Sequence, residues 1–394
     1  MSTQRVLERP EEVLGPEQIR ESLRALDTFP KRLVHNAERF GDRVAFREKE
    51  FGIWQEITWR QYLDHVRACA GGLLALGMRR GDVVALIGDN RPELYYVAMA
   101  TQALGGVSCG MYQDTLADQL AQLLDFADAR FVFCEDQEQT DKLLSMEDRL
   151  PKVERVIVDD WRGMWRYQHP KLLRFSDLES LGREFLSRQP DRFLQEVARG
   201  RGDDVAIFCL TSGTTSLPKL AMLSHRNLLA QGENFLAVEP HVTERDEFVS
   251  FLPFAWIGEQ MISFTLHQLV GFTVNFPEEP ETAQRDLREM GPTSCSPPPA
   301  STRGSTPRSP CGCWTRGRSA GGSTTPPWPW RAAGWTWKPQ ASRCPPGYAC
   351  CGGCATGRCT DPSWTRWGWC ICGWRGTEEP PWARTTSGSS AVWG

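Results

Sequence analysis

Short apolar runs bounded by Gly, Asp or Pro recur along residues 44–290, and between them apolar residues return every three or four positions. Residues 44–51 and 53–58 alternate about Gly52 and predict a hairpin. Thr58 is placed to cap a helix whose apolar positions Tyr62, Leu63, Val66, Ala70, Leu73 and Leu74 recur at helical spacing, with Gly77 ending it. Residues 83–87 are five apolar residues between turn signals, the pattern of a strand covered on both faces. Helices are expected from Pro92 to about Leu104 and over 115–127, with strands at 130–134 and 153–158. The first 45 residues read as a polar, partly helical lead-in, and residues 160–200 as helical surface elaboration. Strands at 205–210, 248–252 and 272–276 then alternate with helices opening at Ser224 and spanning 257–270 and 281–290. Strands alternating with helices of this length predict an α/β fold of doubly wound parallel sheets.

Composition divides the chain near Thr293. Residues 294–394 contain no Leu, Phe, Met, Asn or His, yet hold ten of the fourteen cysteines and eleven of the sixteen tryptophans. Lys338 and ten arginines against Asp361, Glu378 and Glu379 give this tail about +8, which leaves about −12 before it. A disulfide-rich secreted module would need an apolar leader, and M-S-T-Q-R-V-L-E-R-P-E-E has no apolar core. A zinc module would draw on Cys311/Cys313, Cys350/Cys351/Cys354 and Cys370/Cys372, but the knuckles lack a standard separation. A basic nucleic-acid arm would not carry eleven Trp.

The genetic code favours a shifted reading frame instead. Let each codon take one base from its predecessor and two from its successor. Ser then becomes Phe, Leu, Ile or Val, and Cys and Trp become Leu, Met or Val. Residues 294–304 can then be read F-L-L-S-P-P-R-V-Y-E-G, and 305–319 continue as L-D-A-A-V-S-V-R-M-L-D-A-G-P-L. Residues 378–394 give G-G-A-A-L-G-A-D-D-F-R-F-L-R-G-L-G. The expected organisation is a partial α/β domain over residues 1–293 and a low-complexity, out-of-frame tail over 294–394, too poor in aliphatic surface to fold.

The chemistry gathers at F-C-L-T-S-G-T-T-S-L-P-K-L, residues 208–220. An apolar strand breaks into Thr211, Ser212, Gly213, Thr214 and Thr215, and Lys219 follows. Hydroxyls, backbone N–H groups and one lysine on a tight turn after a strand form an anion cradle. It is not a Walker loop, since G-x-x-x-x-G-K-(S/T) is absent. The stretch resembles the phosphate-binding signature of the AMP-forming acyl-CoA synthetase superfamily, (Y/F)-T-S-G-T-T-G-x-P-K-G. G-D-R-V-A-F-R, G-I-W-Q-E-I-T-W-R-Q-Y, L-G-M-R-R-G-D-V-V-A-L-I-G-D-N-R-P-E and F-L-P-F-A-W-I-G-E-Q are similar to its long-chain fatty acid branch, so the resemblance covers about residues 30–293.

The resemblance implies an incomplete copy of the large N-terminal domain of these synthetases, and the roles that follow. Thr211 would help hold Mg²⁺, while Ser212, Gly213, Thr214 and Thr215 would wrap the β- and γ-phosphates of ATP. Lys219 would neutralise phosphate charge and steady the loop. Ser216 and Leu220 stand where the family usually has glycine. Trp256 matches a His or aromatic position near the acyl and nucleotide pockets; its other reading is a core tryptophan. Glu259 is read as a polar or surface group on the same helix, His225 and Asn227 as supporting residues beside a Ser224 cap, and Asp89-Asn90-Arg91 as a structural turn. The implied activity joins a fatty acid to coenzyme A at the expense of ATP, with Mg²⁺. The Y-G-x-T-E motif and the ribose aspartate are missing, and so is the small domain with its lysine, so this chain is expected to be a defective ligase. A non-catalytic ATP-binding fragment and an aryl- or other acyl-adenylating enzyme stay open. The expected partners are small molecules, not nucleic acid. The expected location is cytoplasmic, with peripheral contact at the inner membrane left open.

Overall fold

The computed structural model describes residues 16–211, 219–279 and 282–291. The tail from 294 onward lies outside the described residues.

Helices α1 (Pro16–Arg24) and α2 (Phe29–Phe40) precede the hairpin β1 (Val44–Glu50) and β2 (Ile53–Thr58). Thr58 caps α3 (Trp59–Ala75) in a full capping box with Gln61, which satisfies two of the N–H groups that a helix start leaves free. Then come β3 (Val83–Ile87), α4 (Pro92–Ala103), β4 (Val107–Met111), α5 (Ala117–Phe126), β5 (Ala129–Cys134) and α6 (Gln137–Ser145). They are followed by β6 (Arg155–Val158), β7 (Leu172–Arg174), α7 (Phe175–Arg188), α8 (Arg192–Arg199), β8 (Val205–Thr211) and β9 (Lys219–Ser224). Ser224 makes a second capping box, with Asn227, at the start of α9 (His225–Val238). The described chain closes with β10 (Glu247–Val249), α10 (Ile257–Glu259), α11 (His267–Val270), β11 (Thr273–Phe276) and α12 (Ala283–Met290).

Among the described residues the strands form two sheets. The larger has the order β7-β6-β5-β3-β4-β8-β9 and the smaller β10-β11-β1-β2. Alternate residues of β3 face opposite cores: Val84 and Leu86 pack with the helices between the sheets, while Val83, Ala85 and Ile87 pack with α5 and the outer face. This two-sided burial is what an unbroken apolar run requires. The inter-sheet core also takes Phe46, Val274 and Phe276 from the small sheet and Tyr62, Tyr95 and Leu178 from the helices. Lys49 reaches from β1 to Asp286 (2.8 Å) and Glu289 (2.5 Å), which ties α12 to the small sheet through a buried ion pair.

The expected pattern needs several corrections. The large sheet is not wholly parallel, because β9 runs antiparallel to β8, and β1–β2 is antiparallel as the hairpin required. Strand β4 was not anticipated: V-S-C-G-M alternates apolar with small residues over only five positions, with no flanking apolar run, yet all five residues are buried. The 160–200 segment contains the edge strand β7 as well as α7 and α8. Strand 248–252 is shorter, at Glu247–Val249. The helix expected over 257–270 is α-helical only at its ends, with a π-helical stretch over Gln260–Leu266. There Ser263 Oγ donates to the Glu259 carbonyl at 2.8 Å, occupying the acceptor that an α-helical bond would use.

Helices α3 and α7 cross at their glycines. A Cβ on Gly182 would lie 1.8 Å from the Ala68 carbonyl oxygen and 2.5 Å from the Gly72 nitrogen, and one on Gly72 would lie 2.3 Å from the Leu178 oxygen. The two backbones therefore touch directly.

Candidate functional site

In doubly wound sheets, ligands gather outside the carboxyl ends of strands where successive connections leave in opposite directions. The neighbours β4 and β8 meet this condition. The connection from β4 passes through α5 to β5 on one side, while β8 continues to β9 on the other. Thr211 stands at the carboxyl end of β8. It pairs with Lys219 across the antiparallel ladder, and its Oγ1 donates to the Lys219 carbonyl at 3.2 Å. The predicted cradle is thus mounted on a strand–loop–strand–helix, not on a strand passing straight to a helix. Thr211 and Lys219 are both exposed at this end of the ladder. Ser212, Gly213, Thr214 and Thr215 lie outside the described residues.

A second segment arrives at the same strand ends. Gly110 on β4 lies beneath Ala255: a Cβ there would come 2.8 Å from the Ala255 Cα. Burial pushes the Cys209 thiol of β8 up, and the backbone of Ile257 beside it acts in the opposite sense. Trp256, between Ala255 and Ile257, is 38% exposed, so it is not a core tryptophan. The structure thus pairs Thr211 with Lys219 at the end of β8 and leaves Trp256 partly exposed beside Gly110 of β4.

Behind Trp256 lies a buried polar network that the sequence did not reveal. Glu259, read as a surface or polar helix group, is fully buried. Its Oε1 accepts from Ser250 Oγ at 2.6 Å. Asn90 Nδ2 donates to Ser250 Oγ (2.8 Å) and to the Leu252 carbonyl (2.6 Å). Tyr95 Oη meets Ser263 Oγ at 2.6 Å. Burial raises the Glu259 carboxyl to about 7, against the lowering effect of Ser250, Ser263, the Leu252 backbone and Tyr95. The signal available in sequence was the Ser, Asn and Glu in segments otherwise packed as core.

His225 is buried, and its Nδ1 accepts from the Phe29 N–H at 3.3 Å. Burial lowers its pKa to about 3, so the ring is neutral and serves the α2–α9 contact rather than acid–base chemistry. Asn227 completes the Ser224 cap. The turn at 89–91 is structural, as expected: Arg91 bridges Glu48 (3.3 Å) on β1 and Glu135 (3.0 Å) after β5, and Glu135 also accepts from the Asp89 N–H. Arg91 thereby joins the two sheets. Among the described residues, no group of three or more His, Cys, Asp or Glu is placed to hold a metal ion. No described helix is long and apolar enough to cross a membrane.

The comparisons with known proteins agree with this architecture. The long-chain-fatty-acid–CoA ligase ACSBG2 of Xenopus laevis is 27% identical over 276 residues, covering 68% of this chain and 36% of that protein. Its counterpart in Rattus norvegicus is 28% identical over 274 residues, covering 68% and 40%. The chain thus spans well under half the length of these curated relatives. Among solved structures, the anthranilate CoA ligase AuaEII, in complex with anthranoyl-AMP, superposes with a TM-score of 0.58 at 19% identity, over 68% of this chain and 49% of that one. A long-chain-fatty-acid-CoA ligase (FadD1) of Archaeoglobus fulgidus gives 0.54 at 18% identity, over 68% and 51%. These two likenesses establish the fold. The family model described as AMP-binding enzyme matches residues 33–304, most of the chain. That match places the chain in the AMP-binding enzyme family.

Proposed function

We propose that this chain derives from an ATP-dependent fatty acid–CoA ligase and that its crevice grips the pyrophosphate end of ATP. One observation carries the reading: Thr211 and Lys219 face each other at the carboxyl end of β8, in a chain of the AMP-binding family. The names of the relatives, long-chain-fatty-acid–CoA ligases, support the substrate class. In the reaction, a carboxylate attacks the α-phosphate of ATP, pyrophosphate leaves, and the thiol of coenzyme A then displaces AMP. The first step brings two anions together, so positive charge and N–H donors must offset them. Lys219 supplies a cation at the phosphate end; Ser212, Gly213, Thr214 and Thr215 supply hydroxyls and backbone N–H groups around the β- and γ-phosphates. Thr211 fits Mg²⁺ as a single exposed hydroxyl. Mg²⁺, when bound, would neutralise charge between those phosphates.

Isothermal titration of the full chain with ATP·Mg²⁺ is expected to show binding, and Lys219→Ala is expected to weaken it at least about tenfold, as loss of a charge-assisted contact does. Unchanged binding in that variant would remove the phosphate role from Lys219. An aryl acid is the second substrate reading, favoured by the anthranilate ligase likeness in fold alone; acid profiling separates the two.

The tail is proposed to be read out of frame. Family likeness stops at residue 304, close behind the change in composition at 293. Sequencing the gene from independent isolates is expected to reveal an inserted or deleted base near codon 293. Release of AMP from palmitate, ATP and CoA is expected to be absent from the chain as written. An intact frame in every isolate, or full turnover by the chain as written, would sink this reading.

A further inference from the structure

We infer that Glu259 is a proton-binding site: its carboxyl carries the one hydrogen that closes a buried ring of hydrogen bonds, and the ring clasps α4, the segment after β10 and the π-helical stretch together while that proton is held. Glu259 Oε1 meets Ser250 Oγ at 2.6 Å, and Ser250 Oγ meets Tyr95 Oη at 3.2 Å. Tyr95 Oη meets Ser263 Oγ at 2.6 Å, and Ser263 Oγ returns to the Glu259 backbone carbonyl at 2.8 Å. These are four oxygen–oxygen contacts, and each needs a hydrogen between its partners. A hydroxyl carries one hydrogen, so Ser250, Tyr95 and Ser263 supply three. Asn90 Nδ2 spends its own hydrogen on Ser250 Oγ and does not make up the difference. The fourth comes from the Glu259 carboxyl.

With the proton on Oε1 the ring runs in one direction. Glu259 donates to Ser250, Ser250 to Tyr95, Tyr95 to Ser263, and Ser263 to the Glu259 carbonyl. Ser250 Oγ then accepts from Glu259 and from Asn90, which fills both of its acceptor positions. The carboxyl–Ser250 separation lies at the short end of the range for an O–H donor to oxygen. Glu259 Oε2 is buried without a hydrogen-bond partner. In the acid it is a neutral carbonyl oxygen; in the carboxylate it would bear charge, and an unmet charged acceptor costs far more. The upward push of burial on this carboxyl runs the same way. Among the ring's other members Tyr95 is titratable, and burial holds its hydroxyl far above the ordinary range, as it does Tyr62 of α3 beside it. Loss of the Glu259 proton turns the Ser250 hydrogen onto the carboxylate. Tyr95 Oη can then hold Ser250 or Ser263 but not both, and the clasp opens on one side as pH rises.

The test uses the full chain. Infrared difference spectra between pH 6 and pH 8.5 are expected to show a protonated-carboxyl band lost at the higher pH, and Glu259→Gln is expected to remove part of that loss. Amide hydrogen exchange over residues 250–266, corrected for its intrinsic pH dependence, is expected to match Glu259→Gln at pH 6. At pH 8.5 the wild type is expected to exchange about fivefold faster, as loss of one net hydrogen bond predicts. Tyr95→Phe takes away two contacts and one hydrogen, so the two contacts left are served by the two serine hydroxyls without Glu259. That variant is expected to keep the infrared loss and to show no step in exchange. An infrared loss unaltered in Glu259→Gln overturns the proton assignment, and an exchange ratio flat with pH overturns the clasp. A step that survives Tyr95→Phe also overturns it, since the loosening would then come from buried charge. If Glu259→Gln does not fold, the exchange step in the wild type against Tyr95→Phe decides alone.

Discussion

Gly182→Ala is expected to lower the stability of the described domain by about 3 kcal/mol, the upper part of the usual range for overpacking. Its α-hydrogen faces backbone, not flexible side chains: the added methyl carbon would lie 1.8 Å from the Ala68 oxygen. No rotamer change relieves that contact, so α3 and α7 must separate. Separation loosens Leu178 and Leu186, which α7 contributes to the inter-sheet core. Gly71 and Gly72 inside α3 each cost about 1 kcal/mol of helix propensity, and the close crossing is what offsets that cost. Thermal unfolding should shift down by roughly 6–10 °C. Glu184→Ala on the same helix, where the side chain is 61% exposed, should move stability by no more than about 0.5 kcal/mol. Equal melting of the Gly182 and Glu184 variants would show that the crossing is not tight.

The second large effect is a pH dependence. Glu259 is raised from 4.5 to about 7 in the folded protein by burial, so the native state holds its proton more firmly than the unfolded chain does. Its stabilising contribution is complete below pH 4.5 and is lost as pH rises through 7. The amount is on the order of 3 kcal/mol, from the size of the shift. Asp159 is also raised to about 7, chiefly by burial and by the charge of Glu48, and adds a slope of the same sign. Glu259→Gln keeps a neutral group of the same shape and removes only the first slope. Denaturant titrations at pH 5 and pH 8 should therefore show the Gln variant close to wild type at pH 5 and clearly more stable at pH 8. Parallel losses in both proteins would mean that Glu259 is ionised throughout. The groups that act on its carboxyl, Ser250, Ser263, Tyr95 and the Leu252 backbone, are all uncharged, so no neighbouring charge competes for the effect.

Where local physics decides an element, the sequence was readable. Thr58 and Ser224 cap helices because hydroxyls satisfy free N–H groups, and both form full capping boxes. The apolar run of β3 could only be a strand buried on both faces. Legibility failed where tertiary partners decide. Strand β4 carries Ser108, satisfied by Gln102 and the Ala206 carbonyl, and Gly110, kept bare for Ala255. Neither need is visible before the fold exists. Strand β9 was hidden because the Gly- and Thr-rich signal before it read as loop up to Ser224. Trp256 and Thr211 with Lys219 were singled out by motif, but the antiparallel pairing of Thr211 with Lys219 came from the fold. Glu259 was misplaced because a carboxylate in a short polar pattern reads as surface, and only the Ser250–Asn90–Tyr95 cluster makes its burial tolerable.

The antiparallel pairing of β8 with β9 has an entropic consequence for capturing an anion. Bringing two chain ends together costs free energy that grows with the logarithm of the intervening length. Here that cost falls on the ladder from Val205–Ser224 to Thr211–Lys219, and folding meets it before any ligand arrives. The two ends of the 212–218 segment are therefore held together by the ladder alone. Stability of the β8–β9 ladder and affinity for the anion are therefore drawn from the same free energy, and residues such as Ala206 and Leu223, at the far end of the ladder, influence binding through chain closure alone.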